Sequence, residues 1–171
     1  MRPRAGPLAA ILLAVASLAM LPHAFAQAQQ GGRSVPTSPP VMSAAEAHAK
    51  ALAGEVVLID IRTPEEWRET GIPASAHTAN MHDDPKAFAA RLMAAVGGDK
   101  TRRIALICRT GNRSSQLQAQ LVRAGFTNVV DVAEGVAGGR HGKGWLKVGL
   151  PTRPGSMASI PPSLPAKAAA Q

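Results

Sequence analysis

Cysteine is nearly absent: the 171 residues contain one, Cys108. A single cysteine excludes an internal disulfide and leaves two readings, a buried apolar side chain or a reactive thiol, which its neighbours must separate. Aromatic residues make up only 3% of the chain. Beyond the first residues they are Trp67, Phe88, Phe126 and Trp145, three of them in apolar settings, so the basic residues have no stacking platform and a nucleic-acid partner is not expected. Acidic residues are also scarce, 11 against 19 lysines and arginines. That balance favours small anions or acidic partners through long-range attraction and carries no information about fold. The apolar run from Leu8 to Leu21, about 14 residues, falls short of the roughly 20 needed to cross a bilayer. No internal repeat is visible, and the length suits one domain with one core.

What is present at the start is an export pattern. Arg2 and Arg4 precede the apolar run, and Ala24-Phe25-Ala26 matches a small-x-small cleavage site, so residues 1–26 read as a signal peptide. Cleavage near Gln27 removes two arginines and no acids, taking the formal charge from +8 to +6. No cysteine follows the cut and no arginine pair precedes it, which disfavours a lipid anchor and twin-arginine export. The expectation is a periplasmic or secreted bacterial protein with no membrane contact once the signal is removed. Residues 27–40, rich in Gln, Gly, Ser and Pro, read as a flexible linker, residues 41–152 as the folded domain, and residues 153–171 as a disordered Pro/Ala-rich tail.

Within the domain, Ser43 and Glu46 fit a capping box opening a helix to about Ala53, with Gly54 as its stop. Val56 to Ile61 is a β-branched apolar run suited to a strand covered on both faces. Thr63-Pro64-Glu65-Glu66 supplies a second capping box with proline at the first helical position, and Gly71-Ile72-Pro73 ends that helix. His77 to Met81 reads as a short strand, and Asp84-Pro85 opens a helix that places Phe88, Leu92, Met93 and Val96 on one face. Arg103 to Ile107 reads as a strand, Ser114 to Ala124 as a helix closed by Gly125, and Val129 to Val132 as a strand. Strands alternating with helices predict an α/β fold: an open, mostly parallel sheet flanked by helices on both faces.

Cys108 stands where one strand becomes a loop, Cys108-Arg109-Thr110-Gly111-Asn112-Arg113, followed by a helix. The crevice beyond the carboxyl ends of parallel strands is the usual ligand site in such sheets, so the sulfur is expected to be presented there. Gly111 permits a positive φ, letting backbone N–H groups turn inward toward an anion, and the helix amino end adds positive potential. Cationic neighbours and helix amino ends favour the thiolate, the nucleophilic form of cysteine. Arg109 and Arg113 are placed to supply that charge and to hold an anionic donor. The loop has no acidic residue to protonate a leaving alkoxide. Asp60 and Arg62, two apart on a strand, share a face and read as a structural ion pair or loop brace. Trp67 and Trp145 read as core, Ser114 and Ser115 as possible caps.

Three segments resemble the rhodanese family across about Val41 to Thr152. Val57 to Trp67 is similar to its first motif, Cys108 to Ser114 to its persulfide loop, and Glu134-Gly135-Val136-Ala137-Gly138-Gly139 with Gly144-Trp145 and Gly149-Leu150-Pro151 to its closing loop and final Trp and Pro segment. Cysteine-dependent phosphatases resemble a loop one residue longer, so a phosphatase or arsenate reductase is the weakest alternative. The resemblance implies a thiosulfate-type sulfurtransferase in which Cys108 carries sulfur as a persulfide. It implies that Arg109 and Arg113 bind the donor's anionic end and that amides of Thr110, Gly111 and Asn112 cradle the sulfur, with Asp60 and Arg62 as structural support. No cofactor or metal is implied. The partners implied are a small anionic sulfur donor and a thiol or cyanide-type acceptor, with a protein acceptor as the further possibility. The alternative of another class is a sulfur-relay module that holds persulfide without turning over free donors. This chain departs from the family after its second helix, reading Gly71-Ile72-Pro73-Ala74-Ser75-Ala76-His77, so His77 takes no role from the resemblance. His141, in the closing loop, lines the pocket or faces solvent.

Overall fold

A computed structural model of the chain describes residues 38–158. The expected signal peptide, most of the expected linker and the end of the expected tail lie outside these residues. In chain order the elements are β1 (Val41–Met42), α1 (Ala44–Leu52), β2 (Val57–Asp60), α2 (Pro64–Thr70), β3 (Ile72–Pro73), β4 (His77–Thr78), α3 (Pro85–Ala95), β5 (Ile104–Ile107), α4 (Asn112–Arg123), β6 (Val129–Val132), α5 (Gly144–Lys147) and β7 (Thr152–Arg153), followed by a 3-10 turn over Gly155–Met157.

Five strands form one sheet in the order β1-β6-β5-β2-β4, and every pairing is parallel. The three central strands are buried throughout, as β-branched runs covered on both faces must be. Alternation along them sorts the core. Val57, Ile59, Ile104, Leu106 and Val129 face α3 and α4, packing with Leu92, Leu117 and Leu121. Leu58, Ala105, Ile107, Val130 and Val132 face the other way, against Ala47 and Ala51 of α1, Trp67 of α2 and Trp145 of α5.

Local signals set the helix starts. The Ser43 side chain accepts from the Glu46 amide at 3.1 Å. At α2 the capping box is reciprocal, with Thr63 Oγ1 accepting from the Glu66 amide and Glu66 Oε2 from the Thr63 amide. Asp84 caps α3 by accepting from the amides of Lys86 and Ala87.

The strand expected over His77 to Met81 ends at Thr78, and two further boundaries differ from the sequence reading by more than one residue. Helix α4 begins at Asn112, not Ser114, because Gly111 in a left-handed conformation starts it and Ser114 sits inside the first turn. The ordered chain also runs past Thr152: β7 pairs antiparallel with β3, and Ala158 packs on the core with its carbonyl accepting from Thr78 Oγ1. A tail rich in Pro and Ala looks unstructured by composition, and tertiary contact overrides that for residues 153–158.

The carboxyl end of β2 is fixed by a buried ion pair. Arg62 and Asp60 are 1% and 0% exposed, and Arg62 Nη2 donates to Asp60 Oδ2 at 2.7 Å. The rest of the guanidinium donates to Thr70 Oγ1 at 2.7 Å and to the carbonyls of Glu66 and Gly71, satisfying the open end of α2. Removing one partner of such a pair strands the other charge in the core. Arg62→Met is therefore expected to lower unfolding free energy by about 3 kcal/mol in urea denaturation. An unchanged midpoint would show that the pair does not hold this corner.

Candidate active site

Cys108 follows β5 directly, at the carboxyl edge of the sheet, and the next three residues bring the chain to the amino end of α4. Its sulfur does not point outward: the residue is 1% exposed. The expectation that Sγ is presented to the crevice is thus corrected. The loop folds back over the sulfur, so that the Gly111 amide donates to Sγ at 3.1 Å and Ser114 Oγ lies 3.4 Å from it. The thiol is enclosed, yet it is held by polar donors rather than packed in hydrocarbon alone.

Close backbone contact explains the glycines around it. Gly111 has φ +90°, and a Cβ there would lie 2.1 Å from the Ala133 carbonyl oxygen. A Cβ on Gly135, at φ +66°, would lie 2.5 Å from the Arg109 carbonyl oxygen. The closing segment packs on the loop through these gaps: the Val136 amide donates to the Cys108 carbonyl at 2.8 Å and the Ala137 amide to the Arg109 carbonyl at 2.9 Å. Trp145, fully buried, anchors that segment, donating from its backbone to Gly135 and from Nε1 to the Pro151 carbonyl.

The predicted donor-binding residues are adjacent but not equivalent. Arg109 is exposed beside Arg62, Glu66 and Thr70, Thr110 is half-buried, and Asn112 is exposed in the first turn of α4. Arg113, expected to bind the donor's anionic end, is itself ion-paired. Its two terminal nitrogens donate to Glu66, Nη2 to Oε1 at 2.6 Å and Nη1 to Oε2 at 2.8 Å. Burial alone would raise the Glu66 carboxyl. Hydrogen bonds from Arg113 and the Thr63 amide, with the charges of Arg113 and Arg62, outweigh it and hold the group below its ordinary 4.5. Arg113 is in turn raised, chiefly by Glu66, with a smaller contribution from the Cys108 sulfur beside it.

Sequence reasoning missed three groups. Glu66 was legible only as a helix cap, and Ser114 only as a possible cap. Asp131 is an acid inside the apolar run of β6, a signal that could have been read; it is 3% exposed and its Oδ1 has no hydrogen-bond partner among the described residues. Burial raises its carboxyl above the ordinary 3.8, against a hydrogen bond from Ser114 and the nearby charge of His141. His141 therefore lies at the site, in a cleft lined also by Asn112 and Asp131. His77 stands apart on β4, its imidazole held below 6.5 by burial and by Arg153 and Arg102.

Residues 43–140, which contain the loop, the first motif and the start of the closing segment, match the model of the rhodanese-like domain. The chain belongs to this family. The rhodanese-like domain is 31% identical over 121 residues to thiosulfate sulfurtransferase 16, chloroplastic, of Arabidopsis thaliana, covering 67% of this chain and 93% of that one. Its fold is shared with the rhodanese-like domain of an Anabaena protein, at TM-score 0.52 and 20% identity over 76% of this chain and 89% of that one. It is shared too with the polysulfide-sulfur transferase homodimer of Wolinella succinogenes, at TM-score 0.50 and 24% identity over 68% of this chain and 79% of that one.

Glycine packing gives a test of the rhodanese-like loop. Gly111→Ala is expected to lift the loop from Ala133, raising the rate of Cys108 alkylation by iodoacetamide at least about tenfold and costing on the order of 2 kcal/mol of stability. Gly149→Ala is the control: it shares the positive φ but meets nothing within 4 Å, so it should cost about 1 kcal/mol and leave alkylation alone. Identical behaviour of the two variants would contradict the packing account.

Proposed function

We propose that this protein is a thiosulfate-type sulfurtransferase that works through a Cys108 persulfide. The observation that carries the reading is the setting of Sγ, which receives the Gly111 amide at 3.1 Å and stands beside Ser114 and Arg113 at the mouth of α4. Donors aimed at one sulfur stabilise negative charge there, and they would do so for a thiolate or for the terminal sulfur of a persulfide.

The chemistry takes two displacements. The Cys108 thiolate attacks the outer sulfur of thiosulfate, the S–S bond of the donor breaks, and sulfite departs with that electron pair. The acceptor then attacks the outer sulfur of the persulfide, the new S–S bond breaks, and the electron pair returns to Cys108. Splitting the transfer in this way needs no cofactor and no metal. Arg109 would meet the incoming anion, and Arg113 would act while paired to Glu66, its remaining positive edge directed at the sulfur. The amides of Thr110, Gly111 and Asn112 would hold the outer sulfur. The Arabidopsis relative's description as a thiosulfate sulfurtransferase supports the donor class.

Burial of Cys108 at 1% exposure favours a second reading, a relay module opened by a protein partner. The two separate on turnover. Purified protein with thiosulfate and cyanide is expected to form thiocyanate, and Cys108→Ser to abolish it. Thiocyanate from Cys108→Ser at the wild-type rate would remove the mechanism. A persulfide that forms yet resists cyanide would replace enzyme by relay.

A further inference from the structure

Beside the sulfur loop lies an open cleft of about 390 Å³, between the amino end of α4, the closing loop and the chain around Pro39. Asp131 lines it. A carboxyl in that position is costly: the residue is 3% exposed, its Oδ1 has no partner among the described residues, and burial pushes its protonation upward. Its neighbours in β6, Val129, Val130 and Val132, are all apolar and buried. Arg140 lines the cleft too, exposed and tied by one guanidinium nitrogen to Asn112 Oδ1 at 3.0 Å, which leaves the rest of its cation toward solvent.

The cleft and the sulfur share a wall. Gly111 lines the cleft and donates its amide to Sγ, and it is joined to Ser114, whose hydroxyl donates to the Gly111 carbonyl at 3.1 Å and lies 3.4 Å from Sγ. A ligand in the cleft therefore touches the residue whose amide meets the atom that would carry the transferable sulfur. The cleft is lined by the Asp131 carboxyl and the Arg140 guanidinium. A molecule that answers both has an ammonium and a carboxylate a few bonds apart.

From the sulfur-carrier reading above, we infer that the cleft is the acceptor subsite and that it selects small thiols of the amino-acid type, with Asp131 receiving the ammonium and Arg140 the carboxylate. The acceptor's thiolate attacks the outer sulfur of the persulfide, the bond to Cys108 breaks, and the electron pair returns to Sγ. The acceptor leaves as its own persulfide, having released its thiol proton to water. Asp131 acts by holding the acceptor and takes no part in the bond exchange.

Two readouts separate this inference from the reading it rests on. The first compares cysteine with N-acetylcysteine, which keeps thiol and carboxylate but loses the ammonium. The ratio of their kcat/KM values is taken in wild type and in Asp131→Asn, so that intrinsic thiol reactivity cancels. It should fall about tenfold in the variant, the scale of one charge-assisted hydrogen bond. Arg140→Ala, which leaves the buried wall intact, should lower kcat/KM for cysteine about threefold relative to cysteamine. The second readout needs no sulfur transfer: calorimetry with S-methylcysteine, an unreactive analogue, should show binding to wild type and to Cys108→Ser, and loss of it in Asp131→Asn. Thiocyanate formation with an unchanged acceptor ratio and no S-methylcysteine binding overturns the inference and leaves the persulfide reading standing. Binding of S-methylcysteine that depends on Asp131, in a protein that forms no thiocyanate, supports the subsite and overturns the persulfide reading.

Discussion

The Gly111 amide donates to the Cys108 sulfur at 3.1 Å, and most of the site follows from what makes that contact possible. The backbone must turn sharply after β5, which places Gly111 at φ +90° with its missing Cβ directed at the Ala133 carbonyl. The turn then feeds α4, whose first residues bring Arg113 and Ser114 to the same sulfur. Closure of the loop is locked from outside by amides of Val136 and Ala137, and those by the buried Trp145. A family feature visible as a string of glycines is, physically, a set of backbone contacts too close for any side chain.

Charge is arranged in linked pairs around that loop. Asp60 neutralises Arg62, which closes the carboxyl end of α2; Glu66, from the same helix, neutralises Arg113 at the start of α4. The second pair joins the two helices on either side of the sulfur and keeps a guanidinium beside a nearly inaccessible thiol without leaving a lone buried cation. Asp131 is the exception, a buried acid whose Oδ1 has no hydrogen-bond partner among the described residues.

Much of the fold was legible because it is written in local signals. The reciprocal capping box at Thr63 and Glu66, the proline after Asp84 and the apolar runs of β2, β5 and β6 each specify an element without help from distant residues. The two-residue strands β1, β3 and β7 were not legible, since two residues carry no period and form only where a partner is already in place. The cysteine loop and the family were readable from Cys108 to Ser114. The direction of the sulfur was not, because it depends on Ala133 and the closing loop, far along the chain. Nor was the partner of Arg113: Glu66 is 47 residues away, and its cap role hid its second one.

Intact mass analysis after brief exposure to thiosulfate tests the central claim, that the enclosed Cys108 thiol accepts a single sulfane sulfur. The account predicts a gain of one sulfur atom, confined to the peptide containing Cys108 and removed by cyanide. A folded protein whose mass does not change, or a gain that persists in Cys108→Ala, would contradict it.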